Sequence, residues 1–154
     1  MVRATRSPLQ AESVIPWWRW EGALFHLEKR YADELVSHAK AEAPNECCGI
    51  LAGVEGRITK LYRARNTENS PLRYNLDPRE LFRIVKEIEA KGWELLGIYH
   101  SHTHTEAYPS ATDIELALWP EALYLIVSLK NPEEATIRAF RIAAGQVEEM
   151  AISG

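Results

Sequence analysis

Residues 98 to 113 read IYHSHTHTEAYPSATD, a stretch rich in side chains that bind metals and move protons. His100, His102 and His104 fall at every second position, and Ser110 and Asp113 follow. On an extended strand, residues two apart project from one face, so His100 and His102 can bring both imidazoles to one ion. Ten residues separate His102 from Asp113, enough chain for a loop that folds the next segment back over the strand end. Two imidazoles and a carboxylate suit zinc, and a fourth position left to water distinguishes a catalytic zinc site from a closed structural one. Each residue also has a plainer reading. A single strand histidine can be an ordinary hydrogen-bonded residue. SATD fits a helix capping box, with Ser110 as the N-cap and Asp113 three residues on. Glu46, in NECCG, taken by itself is a solvated residue before a strand.

The elements that must position these groups follow from periodicity and punctuation. WELLGIYHSH is a nearly continuous apolar run, as expected of a central strand buried on both faces. The loop THTEAYP follows it, and then a helix over SATDIELAL. Upstream, GALFHLEK alternates as a first strand, and YADELVSHAKAEAP has helical spacing at Tyr31, Leu35 and His38 or Ala39 before Pro44 stops it. CCGILAGV and RITKLYRARN form a pair of strands around the Glu55-Gly56 turn, and PLRYNLD reads as a further short strand. DPRELFRIVKEIEAKG is a helix with Asp77 as N-cap, Pro78 in its first turn and Gly92 at its stop; Leu81, Ile84, Val85 and Ile88 form its apolar face. ALYLIVSL, ATIRAFRI and QVEEMAI close the order as strands. The expectation is an α/β fold: a single layered domain, 22–154, with one mixed sheet flanked by helices, preceded by an arm over 1–21. The arm carries Trp17, Trp18 and Trp20, which read as packing onto the domain or a neighbour, or as a docking motif.

The chain has 154 residues, 46% of them hydrophobic, which is enough to bury a core in one domain. A formal net charge of -4 gives no basic footprint for nucleic acid or an anionic membrane. No apolar run is long enough to span a bilayer. Cys47 and Cys48 are adjacent and form no disulfide framework, so a reducing, cytoplasmic setting is expected. Both sit in an apolar strand, where buried thiols are inert rather than nucleophilic.

HSH, ten residues, then D, with PS three residues before that aspartate, resembles the signature of the JAMM (MPN+) metallopeptidases. PNECCGIL at 44 to 51 resembles the segment that carries that family's catalytic glutamate. The resemblance covers most of residues 22 to 152 and implies an MPN/JAMM fold, related to that of cytidine deaminases. It implies that His100, His102 and Asp113 are zinc ligands, that Glu46 is the general acid/base, and that Ser110 stabilises the oxyanion. Thr103 stands where many members have proline, which alters loop stiffness and not the ligand set. His104 is then a residue near the substrate or behind the ligands. Cys48 is a candidate to line the site, and Tyr74 and Tyr108 are candidates for a substrate channel, with ordinary packing as the alternative.

Family substrates are ubiquitin and ubiquitin-like proteins cleaved after a C-terminal Gly-Gly. The short loops here, with ECCG and SPLRYNLDP, resemble the compact bacterial branch that releases cysteine from a small ubiquitin-like sulfur-carrier protein. That protein is the expected partner, and a homodimer is an expectation from the resemblance. The alternatives are processing of other ubiquitin-like conjugates or precursors, and a non-catalytic MPN scaffold. Scaffold members usually lose ligands, whereas all five functional positions are present here. A zinc deaminase would need a P-C-x-x-C segment, which the sequence lacks.

Overall fold

The computed structural model describes residues 24–154. The expected arm at 1–21, with its three tryptophans, lies outside the described residues. The elements run β1 (Phe25–His26), α1 (Lys29–Glu42), β2 (Cys48–Val54), β3 (Arg57–Ala64), α2 (Pro78–Ala90), β4 (Glu94–His102), α3 (Ala111–Glu115), β5 (Leu123–Ser128), β6 (Thr136–Ala143), β7 (Gln146–Met150) and β8 (Ile152–Ser153), with a 3-10 turn at Pro132–Glu134. Six strands form one mixed sheet in the order β3-β2-β4-β5-β6-β7. Within this sheet β4 and β5 run parallel and the other neighbours are antiparallel. The single expected sheet is joined by a separate parallel pair, with Phe25 opposite Ile152.

Local chemistry accounts for the boundaries. Glu55 and Gly56 both take positive φ, 50° and 79°, which matches the twist of a two-residue hairpin between β2 and β3. Asp77 caps α2 by accepting from the Arg79 N–H at 2.9 Å, and Ile84 and Ile88 are buried. Two expectations need correction. PLRYNLD is not a strand: residues 66–76 form a loop whose only ladder contact among the described residues is the Asn66–Leu76 bridge. The Asn66 side chain occupies backbone groups that a strand would pair, and Asn69 has φ 46°. The helix expected over 110–118 is shorter, ending at Glu115. Pro120 disfavours helix in the residue before it, and Leu116 and Leu118 are exposed.

The sheet separates two cores. On one side α1 packs Leu35 and Ala39 against Leu51, Tyr99 and Leu125. On the other, α2 packs Ile84 and Ile88 against Ile50, Ile98 and Ile126, and Ile114 of α3 joins them. β4 contributes to both, and its last residues, His100 to His102, are buried. The α3 segment crosses from β4 to its parallel neighbour β5, so the carboxyl end of β4 opens where such sheets place their ligands.

Candidate metal and catalytic site

His100 and His102 lie on one face of β4, the face shared with Ile98 and α2. Ser101 faces the other way. Its Oγ accepts from the Cys47 N–H at 2.8 Å, and its own N–H donates to the Cys47 carbonyl at 3.2 Å. This ties the start of β2 to the end of β4, with Cys48 opposite His100. Glu46 precedes that junction. Its N–H donates to the Ser70 carbonyl at 2.8 Å, and its carbonyl accepts from Asn66 Nδ2 at 3.1 Å.

Asp113 reaches the strand end from the first turn of α3. Its Oδ2 lies 3.1 Å from His100 Nε2 and 3.0 Å from His102 Nε2, and the two Nε2 atoms are 3.2 Å apart. A triangle of that size has a circumradius of about 1.8 Å. All three atoms could therefore reach one ion at the ordinary zinc–nitrogen and zinc–oxygen distances of about 2.0–2.2 Å. His102 Nδ1 is 2.8 Å from the Glu106 carbonyl. A carbonyl only accepts, so Nδ1 carries the proton there, and in the neutral ring Nε2 is the nitrogen with the lone pair; a proton on Nε2, donated to Asp113, would have to leave before an ion binds. Donor set, distances and tautomer fit a divalent ion such as zinc.

Ser110 and Asp113 also form the capping box. Ser110 Oγ accepts from the Asp113 N–H at 3.0 Å, and the Ser110 N–H donates to Asp113 Oδ2 at 2.9 Å. The two readings of SATD are thus compatible: one carboxylate oxygen closes the helix start and faces both imidazoles.

The electrostatics follow from burial and crowding. Burial disfavours the Asp113 carboxylate, but hydrogen bonds from His100 and His102 outweigh it and hold the group well below the usual carboxylate range. Burial pushes His100 down. It also opposes charge on His102, but Asp113 and the Glu106 carbonyl raise that imidazole overall. Protons and an ion therefore compete for the same lone pairs. Glu46 is 3% exposed, and its Oε1 has no hydrogen-bond partner among the described residues. Burial pushes its pKa up to about 8, with His102 pulling it down and Asp113 pushing it up. Burial pushes the Cys47 thiol up to about 12 and Cys48 higher still, so neither is a ready thiolate.

The remaining expected residues divide. Cys48 is buried, and its pairing with His100 across the sheet puts the two side chains side by side on one face. His104 is exposed beyond the strand and outside the triangle of ligating atoms. Tyr108 is exposed, its ring packs edge-on against Phe140 at 5.4 Å, and Arg138 lies over it at 5.7 Å. Tyr74 stacks on His100, with ring centroids 4.3 Å apart and planes 20° apart. Sequence reading missed Glu106, whose contribution is a backbone carbonyl that no side-chain pattern announces, and Asn66, whose asparagine reads only as a turn former.

With the geometry in place, comparisons with known proteins converge. The family described as prokaryotic homologs of the JAB domain matches residues 28–143. The chain is 43% identical over 117 residues to the CysO-cysteine peptidase of Mycobacterium tuberculosis, covering 75% of this chain and 80% of that one. It is 33% identical to a probable TtuB-protein conjugate cleaving protease of Thermus thermophilus, covering 82% of each. The solution structure of a Desulfitobacterium hafniense protein matches with a TM-score of 0.75 at 37% identity, over 83% of this chain and 90% of that one. A JAB1/MPN domain protein from Archaeoglobus fulgidus shares the fold, with a TM-score of 0.50 at 18% identity over 79% and 93% of the two chains.

Proposed function

We propose, from the premise that this chain belongs to the family of prokaryotic JAB-domain homologues, that it is a zinc-dependent peptidase acting on a small ubiquitin-like sulfur-carrier protein. It cleaves the bond after the carrier's C-terminal Gly-Gly and so releases cysteine, as a step in cysteine biosynthesis in the cytoplasm. The observation that carries this reading is the convergence of His100, His102 and Asp113 within 4.8 Å of one another, with a buried Glu46 carboxyl near enough for His102 and Asp113 to act on its charge.

His100, His102 and Asp113 hold the ion. Bound zinc supplies Lewis-acid polarisation and activation of water. Glu46 takes a proton from the attacking water and returns it to the leaving amine. Ser110 Oγ accepts from the Asp113 N–H, which leaves its own hydroxyl proton to donate where negative charge develops on the scissile carbonyl oxygen. The thiols of Cys47 and Cys48 hold their protons, so hydrolysis proceeds without a covalent thioester.

A second reading, cleavage of other ubiquitin-like conjugates, is favoured by the likeness to the TtuB-protein conjugate cleaving protease. Incubation of zinc-loaded protein with carriers ending in Gly-Gly-Cys, in Gly-Gly-X, or joined to lysine by an isopeptide bond, followed by intact mass, separates the readings. Trimming of the Gly-Gly-Cys carrier is expected. Trimming of the isopeptide conjugate alone would establish the second reading, and no cleavage of any of the three would overturn both.

A further inference from the structure

Asn66 is buried, 5% exposed, at the root of the loop 66–76, and it has no part in the chemistry above. Its carboxamide uses its whole hydrogen-bonding capacity. Nδ2 donates to the Glu46 carbonyl at 3.1 Å and to the Arg73 carbonyl at 3.0 Å. Oδ1 accepts from the Glu68 N–H at 3.0 Å and the Asn75 N–H at 2.9 Å. The loop thereby closed does two things at the site. It takes up both backbone polar groups of Glu46, through Asn66 Nδ2 and the Ser70 carbonyl. It also carries Tyr74, whose ring lies flat on His100.

We propose that Asn66 is a positioning residue: its side-chain amide fixes the shape of residues 66–76, and that shape aims the Glu46 backbone and seats Tyr74 on His100. Its effect on turnover rests on the function proposed above; its effect on the loop does not. The residue type follows from the contacts. Aspartate keeps the acceptor for Glu68 and Asn75 but sets a second oxygen against two carbonyls. Alanine leaves four backbone groups without this partner.

Two readouts test the inference. The first is the ring-current shift that Tyr74 imposes on His100, read by NMR of histidine-labelled, metal-free protein, with Tyr74→Leu fixing the value without the ring. Asn66→Asp should carry the His100 signals toward the Tyr74→Leu position and leave those of His102 in place. The second is steady-state hydrolysis of the carrier substrate by zinc-loaded enzyme. There kcat should fall by about 10- to 100-fold, as for outer partners of metal ligands, with KM and bound zinc close to wild type. Thr67→Val, which removes hydrogen bonds of the same loop that do not reach Glu46, should leave both readouts at wild-type values. Unchanged His100 shifts in Asn66→Asp would overturn the proposal, and so would an equal effect from Thr67→Val. If wild-type protein cleaves no carrier while Asn66→Asp still displaces the His100 signals, the proposed function fails and the positioning role stands. If Asn66 variants do not fold, wild-type protein decides: the Asn66 side-chain amide protons should exchange slowly and show NOEs to the α-protons of Glu46 and Arg73, and fast exchange without NOEs would overturn the assignment.

Discussion

The two faces of β4 treat buried polar groups in opposite ways. Toward α1, Tyr99 and Ser101 point into the domain and are satisfied: the Tyr99 hydroxyl lies 2.7 Å from His38 Nδ1, and Ser101 Oγ accepts from the Cys47 N–H. Toward α2 and α3, the alternate residues His100 and His102 crowd one carboxylate oxygen, and among the described residues neither His100 Nδ1 nor Glu46 Oε1 has a partner. One strand thus carries a finished hydrogen-bond pattern on one side and an unfinished one on the other. Burial of polar atoms marks neither face as functional. What marks the second face is burial without mutual satisfaction, since such groups are costly to keep unless another partner or a reaction uses them.

The contrast is tested most severely at Glu46. Glu46→Gln removes the ionisable group but keeps the shape, so hydrolysis should fall by about 10²- to 10⁴-fold while zinc content, measured by metal analysis, stays at wild type. Retained turnover would take Glu46 out of the chemistry. The same substitution should stabilise the metal-free protein at alkaline pH. Glu46 holds its proton in the fold up to about pH 8 but releases it near the ordinary glutamate value of 4.5 when unfolded. Between those values the native state binds more protons, so wild-type stability falls as pH rises. Thermal melts should therefore show Glu46→Gln above wild type at pH 8 and nearly level with it at pH 4.

The other side of β4 should answer in the opposite sense. Tyr99→Phe leaves His38 Nδ1 buried without its partner and should cost about 1–3 kcal/mol in denaturant unfolding, with kcat close to wild type. A large loss of turnover in folded Tyr99→Phe would erase the distinction between the faces.

Metal binding supplies a further probe. Asp113 raises His102, and the proton that stabilises this pair in the metal-free fold is retained at low pH and lost as pH rises through the raised value. Zinc affinity, measured by chelator competition, should therefore strengthen as pH rises past 6.5, the ordinary histidine value. A pH-independent affinity would contradict the shared lone pairs.

The smallest effect belongs to Ser110→Ala. Loss of the cap should cost about 1 kcal/mol, read as faster amide exchange in α3. Any fall in kcat beyond what reduced zinc occupancy explains measures the hydroxyl's separate contribution to the developing oxyanion.

Much of this arrangement was legible in the sequence because it depends on period and spacing. Alternation puts His100 and His102 on one face wherever the strand lies, and a serine three residues before an aspartate opens a helix in a capping box. What escaped depends on backbone groups and on distant pairings. PLRYNLD has strand-like composition, yet Asn66 intercepts the backbone of the 66–76 loop, and an asparagine's choice of partners is not written in its neighbours. Glu106 matters through its carbonyl, which every residue possesses. Tyr74 and Tyr108 looked alike as aromatic candidates. Only tertiary packing sends one ring onto His100 and the other onto Phe140.

At five residues, α3 is too short to persist by its own hydrogen bonds. Its opening turn is latched by Asp113 Oδ2, the same atom that faces both imidazoles. Under the proposed metal-binding role, ion occupancy and the folding of this turn become linked equilibria. Depletion of zinc should loosen residues 110–116 before the rest of the domain, so amide protection there gauges how full the centre is.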